Sequence, residues 1–324
     1  MSLIKYAISK GVGWIDTADS YGAGSDKGEE GYAETLIGEA LLSVGLGGQD
    51  DQGSGGGSTN EGMARRTRIG TKAGMRLDSE DKWTARKLTK DNLKEVLEKQ
   101  RERLGVKAID LWSFHHMDTY TDAELDGLLR VLGSCQDSGL VLNVGLCNCT
   151  VSQVSLAMRY VQVAAVQNRW KGKRGMIHFC RENDIAFFPY GCLGGVRKRN
   201  GKEDSDIRQF PKICSQASLK GVSPEVLLLA YYRQKFPQTI CLIVGCRSTS
   251  RIDDLMSVSE VLFTEMDILE IDSCGPQAAN REGKGGRRNG DWECPQCRAN
   301  NFKSRTECFK SNCYGKRGMG EFSE

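Results

Sequence analysis

Short apolar runs alternate with longer amphipathic segments along most of this chain. The apolar runs that have the length of a buried strand are Val12–Ile15, Arg68–Lys72, Ile109–His115, Leu140–Leu146, Val161–Gln167, Ile185–Tyr190 and Ile240–Gly245. The segments whose apolar residues recur at helical spacing are Leu3–Ile8, Thr35–Val44, Asp91–Leu104, Ala123–Ser138, Gln153–Tyr160, Met176–Asn183 and Pro224–Phe236. This alternation, with no obvious hairpin, predicts an α/β fold built on a parallel sheet.

The number of strands leaves two arrangements open. Parallel strands joined by helices either close into a (β/α)8 TIM barrel or form an open, doubly wound sheet. Here the first apolar run follows a helix, so a barrel would lack its first strand. The spacing of the units favours this incomplete TIM barrel. Helix starts are predicted at Thr89 and at Ser223, where Pro224 takes the first helical position.

Two polar segments interrupt the alternation. Residues 45–62 are rich in glycine and too polar to bury anything, which predicts a flexible insertion. Residues 275–290 place four basic residues among glycines, which is typical of a basic linker between domains. The predicted domains are therefore a barrel over residues 1–274, a linker over 275–290 and a small module over 291–317.

Composition narrows the class of protein. The net charge of +3 is too small to attract nucleic acid or a membrane over the whole surface. No apolar run approaches the ~20 residues that span a bilayer, and the first residues lack the layout of a secretory signal. Of the 13 cysteines, most are scattered through apolar segments, where they act as small core residues. We expect a reducing compartment and a cytoplasmic location; a targeting peptide ahead of Met1 is left open.

Polar side chains follow the first three strands. Asp16 and Tyr21 follow the first, Lys72 ends the second and His115 ends the third. The carboxyl ends of barrel strands gather at one rim, where active sites lie. A tyrosine ionises near pH ~10; a buried lysine would favour the phenolate, an aspartate would fix the lysine, and an imidazole could orient a carbonyl. The four groups predict a proton donor for a carbonyl oxygen.

Each of these residues also has a simpler interpretation. Asp16 could cap a helix, Lys72 could be a solvated strand end, and His115 or His116 could be a surface imidazole. His116 is the weaker of the two histidines, because the next position along a strand points to the other face. The catalytic interpretation is preferred because the alternative needs four coincidences.

In these motifs the chain resembles the aldo-keto reductase family. Asp16–Gly22 is similar to the family's Asp-Thr-Ala-x-x-Tyr-Gly, Thr71-Lys72 to its Thr-Lys strand end, and Asp110–His115 to its Asp-Leu-aromatic-x-apolar-His element. The resemblance implies a TIM barrel that reduces a small aldehyde or ketone with NADPH. It also implies that Asp16, Tyr21, Lys72 and His115 are the catalytic residues.

The resemblance extends to a cofactor site. The residues that it implies are Cys147, Asn148, Gln167, Tyr190, Leu193, Gly194, Arg247, Ser248, Arg251 and Asp254. By this resemblance Asn148 and Gln167 would hold the nicotinamide amide, Tyr190 would stack on the ring, and an arginine would bind the 2′-phosphate. Cys147 replaces the family's serine, and Leu255 stands where many members have an asparagine. Leu255 and the missing first strand leave a second hypothesis open, in which the barrel is a catalytically inactive NADP-binding scaffold and a C-terminal module, described next, binds RNA or a protein.

Four cysteines near the end of the chain predict a metal site. Two pairs, separated by ten residues, are formed by Cys294, Cys297, Cys308 and Cys313. Four thiolates suit a closed, structural zinc site, and a segment of about 30 residues has too little core to fold without one. The alternative is four free cysteines in a disordered tail.

The residues around these cysteines resemble a zinc finger of the Ran-binding-protein type. Trp292, Asn301-Phe302 and Arg305 match its pattern, whereas the last cysteine pair encloses four residues instead of two. The resemblance implies a structural Zn²⁺ and binding to single-stranded RNA or to a protein such as ubiquitin. RNA ranks first, because Arg298-Ala299 replaces the Thr-Phe pair of ubiquitin binders and because Phe302 and Arg305 suit stacking and phosphate contacts.

Overall fold

The structure is a computed structural model. It describes residues 2–22, 29–46, 67–78, 82–170, 174–193 and 211–274, together with the short strands at 292–293 and 300–301. The helices are α1 (Ser2–Ser9), α2 (Tyr32–Ser43), α3 (Leu93–Leu104), α4 (Asp122–Asp137), α5 (Val151–Ala157), α6 (Arg174–Glu182), α7 (Pro211–Leu219), α8 (Pro224–Lys235), α9 (Thr249–Met256) and α10 (Glu265–Cys274). The strands are β1 (Trp14–Asp16), β2 (Arg68–Ala73), β3 (Met75–Leu77), β4 (Trp83–Ala85), β5 (Leu111–Phe114), β6 (Val144–Cys147), β7 (Val163–Arg169), β8 (Ala186–Tyr190), β9 (Trp292–Glu293) and β10 (Asn300–Asn301).

A curled, six-stranded parallel sheet forms the centre of the fold, in the order β1-β2-β5-β6-β7-β8. Every neighbouring pair is parallel, and helices connect consecutive strands, as the alternating pattern predicted. The carboxyl ends of the strands therefore lie at one rim. The strand ends that carry Asp16, Lys72 and His115 meet there through the pairs β1–β2 and β2–β5.

Two predictions about the strands were wrong. The run Ile240–Gly245 makes only one parallel bridge, between Ile240 and Phe187, and residues 242–246 line a cavity instead of pairing with another strand. The expectation of no hairpin also fails, because β3 and β4 pair antiparallel. Strands of three residues are too short to show an alternating pattern.

Helices cover the outer face of the sheet. Leu125, Leu128, Leu129 and Leu132 of α4 are buried at helical spacing against the core that also includes Leu93 and Leu97 of α3. A second core surrounds α8, whose residues 226–232 are all buried. The amphipathic pattern thus places α3 and α4 by burying one apolar face of each, whereas α8 is buried on all sides in its middle.

Side-chain caps fix several helix starts. The prediction at Ser223 is confirmed, since its hydroxyl accepts from the Val226 N–H ahead of α8. The prediction at Thr89 was wrong by a few residues: α3 begins at Leu93, and the Thr89 hydroxyl accepts from the Asn92 N–H in the preceding turn.

The insertion begins later than predicted. Leu46, inside the segment expected to bury nothing, packs with Ile37 and Leu41 of α2 against Ile69. Residues 47–66 lie outside the described residues.

A cavity of about 590 Å³ lies beside β1, on the side away from β2. Its lining includes Leu3 and Ile4 of α1, Asp16, Tyr190 and Leu255. Most of this lining is apolar, and it reaches from the rim of the sheet to α9. The cavity therefore adjoins the predicted catalytic and cofactor residues.

Candidate active site

Asp16 and Lys72 form a buried ion pair across β1 and β2. The Lys72 ammonium lies 2.7 Å from Asp16 Oδ2 and donates a hydrogen bond of 2.6 Å to the Thr17 carbonyl. Lys72 is only 1% exposed. With this pairing Lys72 is buried as a charged group, in agreement with the predicted role of Asp16.

Tyr21 lies next to this pair, and His115 lies next to Tyr21. Lys72 Nζ is 4.8 Å from the centre of the Tyr21 ring. The His115 ring meets the Tyr21 ring edge-on, with 5.8 Å between their centres. The structure thus brings all four predicted catalytic residues together at one rim.

The pKa of Tyr21 differs from the expectation that Lys72 would favour the phenolate. Burial raises the pKa of Tyr21, and the neighbouring Lys72 charge offsets this only in part, so the phenol stays protonated at neutral pH. Burial alone would lower the pKa of Lys72, but the charges of Asp16 and Tyr21 outweigh it and raise that pKa. Burial, with Lys72 nearby, lowers the pKa of His115 to about 3. The site therefore holds a neutral phenol, a cationic amine and a neutral imidazole.

Gln167 and Cys147 join the same cluster from β7 and β6. Gln167 Nε2 donates to Asp16 Oδ1 at 2.9 Å, and the Cys147 thiol donates to Gln167 Oε1 at 3.8 Å. Burial raises the pKa of Cys147 to about 12, which keeps it a thiol. The cysteine thus replaces the expected serine as a weak donor and not as a nucleophile.

Asn148 and Tyr190 form a second chain of hydrogen bonds at the rim. The Tyr190 hydroxyl donates to Asn148 Oδ1 at 2.7 Å, and Asn148 Nδ2 donates to the His115 carbonyl at 2.9 Å. Asn148 has a φ of 52°, a left-handed conformation that asparagine tolerates better than most residues. Both predicted cofactor residues therefore lie within one or two contacts of the catalytic cluster.

The other predicted cofactor residues are more distant from the cluster. Arg247 and Ser248 precede α9 and are exposed, and the Ser248 hydroxyl accepts from the Arg251 N–H at 3.3 Å. Asp254, on the next turn, is also exposed. Together they place two arginines at a helix N-terminus, an arrangement that favours anions.

Leu193 and Gly194, which follow β8, are the last two of the predicted cofactor residues. Leu193 is half-buried and packs on the core around α8, whereas Gly194 lies outside the described residues. Leu255, the departure noted from the sequence, lines the cavity beside β1.

Comparison with known proteins decides the family. The model of the Aldo/keto reductase family matches residues 1–276. The chain belongs to the aldo/keto reductase family. It is therefore an oxidoreductase of that family.

Two curated relatives show the extent of the similarity. Pyridoxine 4-dehydrogenase of Escherichia coli (strain K12) is 25% identical over 280 residues, which cover 84% of this reductase and 85% of the relative. Probable aldo-keto reductase 1 of Glycine max is 24% identical over 306 residues, or 84% and 78% of the two chains.

Solved structures show the same fold. Aldose reductase from Giardia lamblia superposes with a TM-score of 0.62 at 21% identity, over 86% of this chain and 87% of that one. An aldo-keto reductase of Bombyx mori in complex with NADP gives a TM-score of 0.61 at 18% identity, over 84% and 81%. The curled sheet is thus that of a (β/α)8 barrel, which confirms the predicted fold class at that level.

Three buried polar residues next to the candidate active site were not predicted from the sequence. Glu34 of α2 and Gln100 of α3 are both fully buried, as is Asp19 in the loop between Asp16 and Tyr21. A signal for Gln100 was present, since it falls on the apolar face of α3, between Leu97 and Leu104. A polar residue on a buried face indicates a hydrogen-bond partner in the core.

The predicted zinc ligands Cys294, Cys297, Cys308 and Cys313 lie outside the described residues. Within the part of the reductase that the structure describes, no group of three or more His, Cys, Asp or Glu side chains could hold a metal. Of the scattered cysteines, Cys147, Cys149, Cys180 and Cys192 are buried in the core, as expected, whereas Cys241 is only partly buried.

No helix among the described residues is both long enough and apolar enough to cross a membrane.

Proposed function

We propose that this reductase transfers hydride from NADPH to the carbonyl carbon of a small aldehyde or ketone. The observation that carries the proposal is the contact cluster of Asp16, Lys72, Tyr21 and His115 at the rim of the barrel. NADPH, when bound, supplies the hydride. The balance of the reaction then requires one proton on the carbonyl oxygen.

Tyr21 would supply that proton, because its hydroxyl is a neutral donor beside a fixed positive charge. Lys72 would stabilise the phenolate that remains, and Asp16 holds Lys72 in place at 2.7 Å. His115 is neutral, so it can hydrogen-bond the carbonyl oxygen and orient the carbonyl without carrying charge. Each role matches the expectation from the sequence.

The residues present suit NADPH. Asn148, Gln167 and Tyr190 offer two amides and an aromatic ring near the catalytic cluster, as a nicotinamide needs. Arg247 and Arg251 stand at the N-terminal end of α9, where a 2′-phosphate would find both positive charge and free N–H groups. We propose the same cofactor residues as the resemblance implied, including Leu193, Gly194, Ser248 and Asp254.

The test is NADPH oxidation with a panel of aldehydes and ketones, in wild type and in Tyr21→Phe. We expect a loss of kcat of roughly 100-fold to 10,000-fold, with the Kd for NADPH unchanged. Tyr160→Phe serves as the matched control. It removes the hydroxyl of a tyrosine that follows the C-terminal end of α5 and donates to Asp126 of α4. Equal rates in wild type and Tyr21→Phe would rule out the assigned acid. Tight NADPH binding with no turnover of any substrate would instead support the inactive scaffold.

We also propose that residues 291–317 form a zinc finger that binds single-stranded RNA. Apart from the cysteine spacing, the support is the antiparallel pair β9–β10, in which Trp292 faces Asn301 and Glu293 faces Asn300. Cys294 and Cys297 stand between these two strands in the sequence, with the spacing of a zinc-binding pair.

Zinc content of the full chain tests this proposal. We expect about one Zn²⁺ per chain in wild type, and none in Cys294→Ser. Cys214→Ser, in α7, is the matched control and should keep the metal. A gel shift with guanine-rich single-stranded RNA should fail in Cys294→Ser. A chain without zinc refutes the finger, and binding to ubiquitin instead of RNA refutes the partner.

A further inference from the structure

A polar network centred on the fully buried Glu34 and Gln100 lies behind Lys72, on the outer face of β2. Glu34 Oε1 accepts from the Thr71 hydroxyl at 2.5 Å and from Gln100 Nε2 at 2.7 Å. Gln100 Oε1 accepts from the Trp112 indole at 2.7 Å, and Arg103 donates to Glu34 Oε2 at 3.2 Å. The network links helices α2 and α3 to strands β2 and β5. Glu34 and Gln100 are both 0% exposed, so neither side chain reaches the surface at the rim of the sheet.

The network reaches the backbone of Lys72 from two sides. Gln100 Nε2 donates to the Lys72 carbonyl at 3.1 Å, and the Asp19 N–H donates to the same oxygen at 3.0 Å. Thr71 precedes Lys72 and points to the opposite face of the strand, so Glu34 holds β2 from behind the catalytic amine.

The helix that carries Glu34 also holds the loop that carries Tyr21. The Gly31 N–H donates to the Asp19 carbonyl at 2.6 Å, and the Ala33 N–H donates to the Tyr21 carbonyl at 3.3 Å. The start of α2 thus determines where the Tyr21 loop lies, while Glu34, one residue after Ala33, determines where β2 lies. The first turn of α2 therefore contacts both the loop that carries Tyr21 and the strand that carries Lys72.

We propose that Glu34, acting through Thr71 and Gln100, is a positioning residue that sets the separation between the Lys72 ammonium and the Tyr21 phenol. This inference rests on the proposed function and adds a residue to it. Displacement of a catalytic group by about 1 Å can cost 100-fold in rate. Three buried hydrogen bonds and a partly buried one, from Arg103, converge on one carboxylate and one carboxamide and are a means to prevent such a displacement.

A purely structural role would have different consequences. If the network only stabilised the fold, its loss would lower the free energy of unfolding and leave the properties of Tyr21 in the folded protein unchanged. If the network sets the Lys72–Tyr21 separation, its loss removes part of the Lys72 effect on Tyr21. Because the Lys72 charge lowers the pKa of Tyr21 against the effect of burial, the pKa of Tyr21 should then rise.

The pair Thr71→Val and Thr71→Ser separates these roles. Valine has nearly the shape of threonine but cannot donate to Glu34, whereas serine keeps the hydroxyl. We expect kcat to fall roughly 10-fold to 100-fold in Thr71→Val with the Kd for NADPH unchanged, and to recover in Thr71→Ser. NMR of 13C-labelled tyrosine, with the Tyr21 signal assigned by its loss in Tyr21→Phe, should show the Tyr21 titration displaced to higher pH in Thr71→Val only.

Urea unfolding of each variant at several pH values shows over which pH range the variant is folded, and the measurements are confined to that range. A Tyr21 titration and a kcat that are unchanged in folded Thr71→Val would overturn the positioning role. If wild type reduces no carbonyl compound, the proposed function fails, and the titration of Tyr21 alone decides the positioning role, because it needs no turnover.

Discussion

Replacing Asp19 with asparagine is expected to stabilise the fold above neutral pH. Asp19 is fully buried between the start of α2 and the hairpin β3–β4, and burial, together with the nearby Glu34 and Glu30 charges, raises its pKa from 3.8 to about 7. Arg86 offsets this only in part: its guanidinium is 3.9 Å from Asp19 Oδ2 and also pairs with Glu30.

The magnitude follows from proton linkage. Between pH ~4 and pH ~7 the folded chain holds a proton on Asp19 that the unfolded chain has lost, so this residue makes the fold less stable as the pH rises. A shift of about 3 pKa units at ~1.4 kcal/mol each gives a cost of at most about 4 kcal/mol above pH ~8. Asparagine cannot ionise and avoids this cost, whereas at pH ~5 the protonated aspartic acid and the amide should be nearly equivalent.

Urea unfolding of wild type and Asp19→Asn at about pH 5 and about pH 8.5 measures the effect. We expect similar midpoints at the lower pH and a higher midpoint for Asp19→Asn at the higher pH. Asp137→Asn, an exposed aspartate at the end of α4, is the matched control and should change the stability by no more than about 0.5 kcal/mol at either pH. An Asp19→Asn variant less stable than wild type at the higher pH would refute the reasoning, because it would mean that the buried carboxylate is stabilised by its surroundings.

Three further predictions concern single residues. Since the pKa of His115 is lowered to about 3, the pH profile of kcat should show no step near the ordinary histidine value, and such a step that disappears in His115→Gln would contradict the neutral imidazole. A Cβ at Gly38 would lie 2.3 Å from the Arg103 carbonyl, so Gly38→Ala should lower the free energy of unfolding by about 1–3 kcal/mol in urea, whereas Gly127→Ala, where a Cβ meets nothing within 4 Å, should not. Arg247→Gln should raise the Kd for NADPH roughly 10-fold and leave the Kd for NADH unchanged in a fluorescence titration. Equal increases for both cofactors would show that Arg247 does not bind the 2′-phosphate.

Most strands of the central sheet, and the polar residues that end them, could be predicted because each depends on a local pattern. A strand of a parallel sheet is predominantly apolar, so a charged residue at its end, such as Asp16 after Val12–Ile15, stands out in the sequence. The meeting of Asp16, Lys72 and His115 then follows from the parallel order of the strands, without knowledge of any loop.

The rest of the site depends on contacts between distant segments. Glu34 and Gln100 are 66 positions apart, and only the crossing of α2 and α3 brings them together. Helices α7, α9 and α10 were not predicted, because a short helix such as Thr249–Met256 has too few apolar residues to show a helical period. The run Ile240–Gly245 was predicted as a strand because apolar composition does not distinguish a strand from an extended segment beside a cavity.

The contacts around Asp16 explain how an edge strand can carry a catalytic residue. Asp16 ends β1, and among the described strands β1 pairs only with β2, with the cavity on its other side. Yet each contact that fixes the Asp16 carboxylate comes from elsewhere: Lys72 binds Oδ2 from β2, and Gln167 binds Oδ1 from β7 across the barrel. Tyr21 is held in the same way, through the backbone of α2. These contacts connect the cluster to β2, β7 and α2, and β5 adds His115 next to Tyr21, so four elements other than β1 hold the side chains around Asp16.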